Sequence, residues 1–376
     1  INSIWDAIVD DVAEARNIPQ DSLRAYASRQ IVYSGTPEEY VKLGFIDGIA
    51  YENEMTAIVR QRLALDEDAK VPTTDLASML PKTPAKVTGK RIVVYTAMGD
   101  IVDAPSASST GSEIAAEVVC PDLDAIAKDD KVQALVLRVN SGGGSAYASE
   151  QMWHCIERIK AAGKPVVVSM GDMAASGGYY ISCGADKIFA ERTTITGSIG
   201  IFGLIPCANK LVEGKLGVHF ETIETNPGAL PPTLMQPLSP STREAMQTYI
   251  ERGYDTFLTR VATGRGMNKD DVHEIAQGRV WTGADALGIG LVDSIGGLAD
   301  AIACAAELAE IEGEPKVDYL PAAKEWWQSL ADMDKPVRLL PDAMLPAELR
   351  KPIQTIQNLE QMKGAQARIP FVLNIR

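Results

Sequence analysis

The sequence lacks the residue patterns of metal-binding, disulfide-stabilised and membrane-spanning proteins. Its 376 residues contain only three histidines, and these are not clustered, so no metal-ligand spacing is present. The five cysteines are scattered without a C-x-x-C pair, which argues against a disulfide framework. No run of about 18 apolar residues exists, so no transmembrane helix is predicted within the chain. We therefore expect neither a metal nor another cofactor.

An excess of positive charge is also missing. The formal net charge is -14, which argues against a nucleic-acid partner on electrostatic grounds. The first residues have neither a basic region nor an apolar core, so they do not form a signal peptide. With 46% hydrophobic and 23% charged residues, the composition is that of a globular protein, and the length allows two domains or one large one.

One stretch of small residues points to nucleophilic chemistry. In the sequence Gly171-Asp-Met-Ala-Ala-Ser-Gly-Gly-Tyr-Tyr180, Ser176 lies between a predicted buried strand (164–170) and a predicted short helix (179–185). Unpaired N–H groups at a helix N-terminus can hold a developing negative charge. The two glycines that follow Ser176 would let a substrate backbone approach closely. The alternative is a tight turn in which Ser176 only caps a helix.

A second glycine-rich stretch strengthens the functional interpretation. Residues 135–145 form another predicted strand, which ends in three glycines and is followed by a predicted helix (146–162). Two strand–loop–helix units in succession predict parallel neighbouring strands joined by a right-handed crossover. Both loops then lie at the carboxyl ends of their strands, where open α/β sheets bind ligands. We expect the glycine amides to face the Ser176 hydroxyl, as acyl transfer requires.

Three motifs together resemble the signal peptide peptidase A (protease IV) family, peptidase family S49. They are V-N-S-G-G-G-S, M-A-A-S-G-G-Y and T-I-T-G-S-I-G-I (194–201), and they occur in the order and spacing of that family. One departure is Gly142, which stands where the family usually has proline. The resemblance implies an α/β fold of the ClpP/crotonase type, with repeated ββα units and a parallel sheet core, and a serine endopeptidase activity.

The resemblance also implies the roles of individual residues. Ser176 would attack a peptide carbonyl. The amides of Gly143 and Gly177 would hold the oxyanion, with Gly144 beside them. The substrate groove would be formed by one later segment, consisting of Thr196, Gly197, Ser198 and Ile199.

The general base is not evident in the sequence. Of the three histidines only His219, in a predicted strand (218–223), is a serious candidate, and a lone strand histidine is usually structural. The resembling family uses lysine, which in its two-repeat members comes from the first repeat, and so we expect it upstream of residue 1. Lys164 and Lys187 flank strands near Ser176, but Lys164 is at the opposite end of its strand and both are poor candidates.

The N-terminal residues repeat part of a later segment. Residues 4–16 align with 253–265, which pairs Arg16 with Arg265, and 43–47 align with 289–293. We therefore expect the C-terminal part of a longer two-repeat protein. The expected domains are the helical tail of a truncated first repeat (1–66), an inter-repeat linker (67–90), a ClpP/crotonase-like protease repeat (91–310) and an extension for packing or oligomer contact (311–376), with a final strand predicted at 369–375.

The resemblance implies a Ser/Lys endopeptidase that degrades cleaved signal peptides and other hydrophobic peptides at the membrane. It further implies a homo-oligomer, with a tetramer expected, and an anchor outside this chain that places the catalytic part on the periplasmic side of the inner membrane. Two alternatives stay open. One is a crotonase-type acyl-CoA enzyme, for which Asp172 is the nearest carboxylate. The other is a non-catalytic pseudo-protease or assembly scaffold, because no base lysine is found.

Overall fold

The structure is a computed structural model that describes residues 1–31, 35–66, 68–74, 89–106, 112–219, 237–321 and 366–368. It divides into two compact units, residues 1–86 and 87–376, and each is described by itself. Within the described residues, no helix combines the length and the apolar character that crossing a bilayer requires.

The first unit is helical. Its helices are α1 (Asn2–Arg16), α2 (Gln20–Ser28), α3 (Pro37–Lys42) and α4 (Glu52–Arg62). Val9 on α1, Ile18 and Leu23 form a small buried core. At the end of α1, Arg16 donates from Nε to the carbonyl of Gly44 at 2.8 Å, and its guanidinium pairs with Asp47 at 3.1 Å.

The second unit contains two β-sheets. Along the chain the strands are β1 (Arg91–Met98), β2 (Asp100–Val102), β3 (Glu113–Ala115), β4 (Val132–Ser141), β5 (Gly143–Ser145), β6 (Val166–Ala175), β7 (Lys187–Ala190), β8 (Ile195–Gly197), β9 (Val280–Thr282), β10 (Ser294–Ile295), β11 (Val317–Leu320) and β12 (Gln366–Arg368). The larger, eight-stranded sheet has the order β10-β7-β6-β4-β1-β11, with β8 paired to β6 and β9 to β8. Among its described pairings only β8 with β9 is antiparallel, so the predicted parallel core is confirmed.

Helices cover both faces of the larger sheet. They are α5 (Ala116–Lys128), α6 (Ala146–Ala161), α7 (Gly177–Tyr180), α8 (Asn209–Leu211), α9 (Pro240–Arg265), α10 (Lys269–Ile275), α11 (Gly283–Gly288) and α12 (Leu298–Leu308), with a π-helix at Val212–Leu216. In β1, Val93 and Tyr95 face the core under α5 and α6, whereas Ile92 and Val94 face α12. Strands buried on both faces read as continuous apolar runs, which is why β4 and β6 could be found in the sequence.

The glycine loop and the strand that precedes it belong to different sheets, and the loop is part of the smaller one. Its order is β12-β5-β2-β3, and β5 is parallel to β2 and antiparallel to β12. The single strand expected over 135–145 is therefore wrong: β4 ends at Ser141, and Gly142 lies between β4 and β5. The chain passes from one sheet to the other at this residue, so the two glycines of β5 stand outside the large sheet.

Three other predictions have different outcomes. The short helix expected at 179–185 instead begins at Gly177, directly after Ser176, and ends at Tyr180. Most of the strand expected at 218–223 lies outside the described residues, and so does the strand expected at 369–375. The described C-terminal strand is β12, which ends just before that segment.

Candidate active site

Ser176 lies at a sharp turn between β6 and α7. Its backbone has φ 54° and ψ -115°, a conformation that residues with a Cβ rarely adopt. Two hydrogen bonds hold the turn: the Ser176 N–H donates to the carbonyl of Gly197 at 2.8 Å, and the Tyr180 N–H donates to the Ser176 carbonyl at 2.8 Å. The side chain is 0% exposed, and its Oγ has no hydrogen-bond partner within the described part of the chain.

Gly178, two residues after Ser176, allows α7 to approach the end of β4. A Cβ at Gly178 would lie 2.7 Å from the carbonyl oxygen of Ser141, a distance that real side chains essentially never show. Because β4 and β6 are neighbouring parallel strands, their carboxyl ends meet at the same edge of the sheet. Gly178 thus brings the first turn of α7 next to the start of the glycine loop.

The glycine loop continues as β5, which packs tightly on β2. A Cβ at Gly144 would lie 2.0 Å from the carbonyl oxygen of Ile101, so no other residue fits there. The N–H of Gly143 donates to the Ser141 Oγ at 3.1 Å, and Ser141 is buried. The amide of Gly143 is therefore engaged by a neighbouring hydroxyl in this structure.

The segment expected to form the groove pairs directly with the nucleophile strand. Gly197 lies opposite Ala175, and Thr196 donates from Oγ1 to the carbonyl of Ala174 at 2.7 Å. The side chains of Thr196 and Ile199 are fully buried, so at these positions only the backbone is available to a groove.

A cavity of about 560 Å³ begins one residue beyond Gly197. Its lining is mostly apolar and includes Ser198, Gly200, Ile201, Phe202 and Tyr254. Of the four residues expected in the groove, Ser198 is thus the one that lines this cavity. A mainly apolar lining with a few polar groups is typical of a site for an apolar ligand.

Comparison with known proteins decides the family. The profile described as "Peptidase family S49" matches residues 158–312, and the "Clp protease" profile matches residues 105–198, which contain both β5 and Ser176. A putative protease of Synechocystis sp. is 33% identical over 216 residues, which cover 57% of this chain and 77% of that protein. The chain belongs to peptidase family S49.

Longer relatives of this S49 chain match over most of its length. Protease 4 of Salmonella typhi is 43% identical over 301 residues, covering 78% of this chain and 48% of that protein. The chloroplastic serine protease SPPA of Arabidopsis thaliana is 35% identical over 350 residues, covering 92% of this chain and 49% of that protein. The S49 chain thus spans about half the length of these curated relatives.

The lysines near Ser176 in sequence lie at the far end of the S49 sheet. Lys164 precedes β6, and its Nζ donates to the carbonyls of Ile126, Ala127 and Asp129 at 2.8–2.9 Å. Burial lowers the pKa of Lys164. However, the ten residues of β6 separate it from Ser176, a span of about 30 Å at the rise of a strand. Lys187 pairs with Val167 at the same far end.

The remaining candidates for a base are histidines on the surface. His154, His219 and His273 are all exposed. His273 Nδ1 lies 3.0 Å from the hydroxyl of Tyr254, which accounts for its position on α10. Within the described ranges, no three histidine, cysteine, aspartate or glutamate side chains lie close enough together to hold a metal ion.

A charged cluster behind α7 was not found by sequence reasoning. Tyr180 donates from its hydroxyl to Glu150 on α6 at 2.6 Å, and Arg260 on α9 donates to both carboxylate oxygens of Glu150, at 2.5 and 3.2 Å. Arg260 also stacks 3.9 Å above the ring of Trp153. Hydrogen bonding to Glu150 raises the pKa of Arg260. The cluster ties α7 to two long helices, and so it fixes the turn that carries Ser176.

Proposed function

We propose that this chain carries the nucleophile of a serine endopeptidase and that Ser176 is that nucleophile. The observation that supports this most directly is its hydroxyl, which is buried, has no hydrogen-bond partner among the described residues, and lies at a turn with a rare backbone conformation. An unpaired buried hydroxyl costs about 1–3 kcal/mol, and such a backbone costs a similar amount. Strained conformations cluster at active sites, where the surrounding structure holds them in place.

In this proposal, Ser176 Oγ attacks the carbonyl carbon of a peptide bond and loses its proton to a general base. The carbonyl oxygen becomes an oxyanion, which accepts from the amide of Gly177 in the first turn of α7 and from the glycine amides of β5. The C–N bond of the intermediate then breaks, and the leaving amine takes the proton held by the base. Water, activated by the same base, hydrolyses the acyl-enzyme and the proton returns to Ser176. Because the amide of Gly143 donates to Ser141 in this structure, it reaches the oxyanion only after the Ser141 hydroxyl turns away.

We further propose that the base is a lysine outside residues 1–376. Its pKa would have to fall from about 10.4 by about three units for it to accept a proton near neutral pH, and burial beside Ser176 would have that effect. The resemblance to two-repeat members of the family supports this assignment, and so does the position of Lys164 and Lys187 at the far end of the sheet.

The proposed substrates are hydrophobic peptides, including cleaved signal peptides. The apolar cavity beside Gly197 supports small or apolar side chains in the substrate. By resemblance to the family, we also propose a homo-oligomer, expected as a tetramer, whose membrane anchor lies outside this chain and whose catalytic part faces the periplasm.

Labelling with a fluorophosphonate, followed by peptide mapping, tests the nucleophile. The experiment compares this chain with a form that is extended at its N-terminus by the natural preceding sequence. We expect the extended form to label at Ser176 and its Ser176→Ala variant not to label. Ser169→Ala is the matched control, because Ser169 is buried on β6, the strand that ends just before Ser176, and accepts a hydrogen bond from Arg138. If neither form labels at Ser176, the non-catalytic scaffold becomes the better interpretation.

A further inference from the structure

Two cysteine side chains meet between α5 and α6, the helices that cover one face of the larger sheet. Cys120 lies in α5 and Cys155 lies in α6. Cys155 is 7% exposed and belongs to the main buried core, and the half-buried Cys120 packs against that core. The two thiols interact through a side-chain hydrogen bond, which raises the pKa of Cys120 and lowers the pKa of Cys155. The proposed peptidase reaction uses neither thiol.

An ion pair beside the thiols holds the two helices in this register. Arg158 on α6 donates to Asp124 on α5 at 2.6 Å. Asp124 follows Cys120 by four residues and Arg158 follows Cys155 by three, and residues three or four apart lie on the same face of a helix. The ion pair and the thiol pair therefore lie along one interface, so the meeting of the two thiols agrees with an independent contact between the same helices.

The other three cysteines lie in different parts of the second unit. Cys183 follows α7, and its thiol donates to the carbonyl of Tyr180 at 3.2 Å. Cys304 lies in α12, on the opposite face of the larger sheet, and Cys207 is exposed. Cys120 and Cys155 are 35 residues apart, and they meet only because α5 packs on α6.

We propose that Cys120 and Cys155 form a redox-active thiol pair that is oxidised to a disulfide linking α5 to α6. The oxidant is a second disulfide, such as that of oxidised glutathione. The inference goes beyond the proposed function and does not depend on the peptidase assignment.

The disulfide forms by two exchange steps. Cys120, the more exposed thiol, loses its proton to solvent, and its sulfur attacks one sulfur of the oxidant, whose S–S bond breaks and releases one thiolate. The Cys155 thiolate then attacks the Cys120 sulfur of the mixed disulfide and releases the second thiolate. The two protons that the cysteines lose pass through solvent to the two released thiolates. The lowered pKa of Cys155 favours the second step, because the thiolate is the nucleophile.

The link closes a segment that contains the glycine loop. Residues 120–155 include β4 and β5, and thus the glycines assigned to the oxyanion. A covalent link across such a segment restricts the unfolded chain more than the folded chain. We expect the Tm of the oxidised chain to be about 8 °C higher than that of the reduced chain.

Peptide mapping after controlled oxidation tests the proposal. The folded chain is equilibrated with equal amounts of oxidised and reduced glutathione, its remaining thiols are blocked with N-ethylmaleimide, and the chain is digested with trypsin. Trypsin separates residues 92–128 from residues 139–158, and each of these peptides contains one cysteine. A disulfide between Cys120 and Cys155 therefore joins the two peptides. The exposed Cys207 reports in the same digest whether the oxidant was active, because it should carry glutathione.

We expect the joined peptides, and the increase in Tm on oxidation, in the parent chain and in the matched control Cys207→Ala. Cys155→Ala should show neither, and Cys120→Ala replaces it if circular dichroism shows that it does not fold. Recovery of both cysteines with maleimide, in a digest where Cys207 carries glutathione, would overturn the proposal. Glutathione that stays on Cys120 would also overturn it, because Cys155 would then be out of reach of the Cys120 sulfur.

Discussion

Arg265 makes, in the second unit, the same two contacts that Arg16 makes in the first. Its Nε donates to the carbonyl of Gly290 at 3.0 Å, and its guanidinium pairs with Asp293 at 2.9 Å. The glycine and the aspartate that Arg16 contacts are the residues that the sequence alignment matches to these two. Two helices with an arginine at the same position thus clamp the same kind of turn, which supports the internal repeat.

The two arginine clamps differ in burial, and we expect them to differ in energy. The side chains of Arg265 and Asp293 are 7% and 21% exposed. Arg265→Ala removes the charged partner of a poorly solvated carboxylate, which keeps its hydrogen bond from the N–H of Ile188, and should cost about 3 kcal/mol. Arg16→Ala should have a small effect, because Asp47 is exposed. Urea denaturation of the two variants measures both, and equal losses would contradict the argument.

Gly178→Ala should damage the site more than the fold. The added Cβ meets a backbone carbonyl, so α7 must move away from β4, at a cost of about 1–3 kcal/mol. Displacement of α7 shifts Ser176, and we expect fluorophosphonate labelling to slow by about 100-fold. Gly288→Ala, where a Cβ meets open space, is the control and should label at the normal rate. Normal labelling of Gly178→Ala would mean that the close approach is not needed.

Ser141→Ala tests whether the Gly143 amide takes part in catalysis. The substitution removes the hydroxyl that accepts from this amide and leaves the N–H free for an oxyanion. One released hydrogen bond of about 1 kcal/mol corresponds to about fivefold faster labelling at Ser176. Slower labelling would indicate that the Ser141 hydroxyl itself supports the site. The Ser169→Ala variant again serves as the control, since it removes a buried hydroxyl elsewhere on the sheet.

Stability should fall at alkaline pH because of two buried groups, one in α7 and one just after it. Burial raises the pKa of the Cys183 thiol to about 12, and it also raises the pKa of the fully buried Tyr179. Raised pKa values stabilise the fold below the pKa of the unfolded chain, about 8.5 for a thiol, and this contribution is lost as pH rises towards 12. Denaturant midpoints between pH 8 and 11 should therefore decline less steeply in Cys183→Ala than in the parent chain. The exposed Cys207 provides a control, and Cys207→Ala should follow the parent.

The sequence predicted the parts of the fold that apolar patterns and glycine turns determine. The strands that became β4 and β6 are apolar runs, and the helix predicted at 146–162 after the glycine loop is α6. The resemblance located Ser176, and both matching profiles include this residue. Its role as the nucleophile stays a prediction, as does the assignment of the oxyanion amides.

Contacts between distant residues could not be predicted in the same way. Glu150 and Arg260 are 110 residues apart, and nothing in either local sequence indicates that they meet. The strand β12 contains Gln, Ala and Arg, so no apolar alternation marks it, and its pairing depends on the backbone of β5. Aligned positions of the internal repeat also differ in burial, which the sequence does not show: Ile8 is 45% exposed, whereas the aligned Phe257 is fully buried.

The Ser176 N–H donates to the carbonyl of Gly197, so this amide is not available to bind an anion. Since that amide is already used, an oxyanion formed in the proposed mechanism would accept from other residues, and Ser176 would contribute only its hydroxyl. In the proposed mechanism, replacing the hydroxyl therefore leaves the anion-binding amides intact. The Ser176→Ala protein should act as a trap that retains peptides it cannot cleave, and mass spectrometry of peptides co-purified with it would report the natural substrates directly.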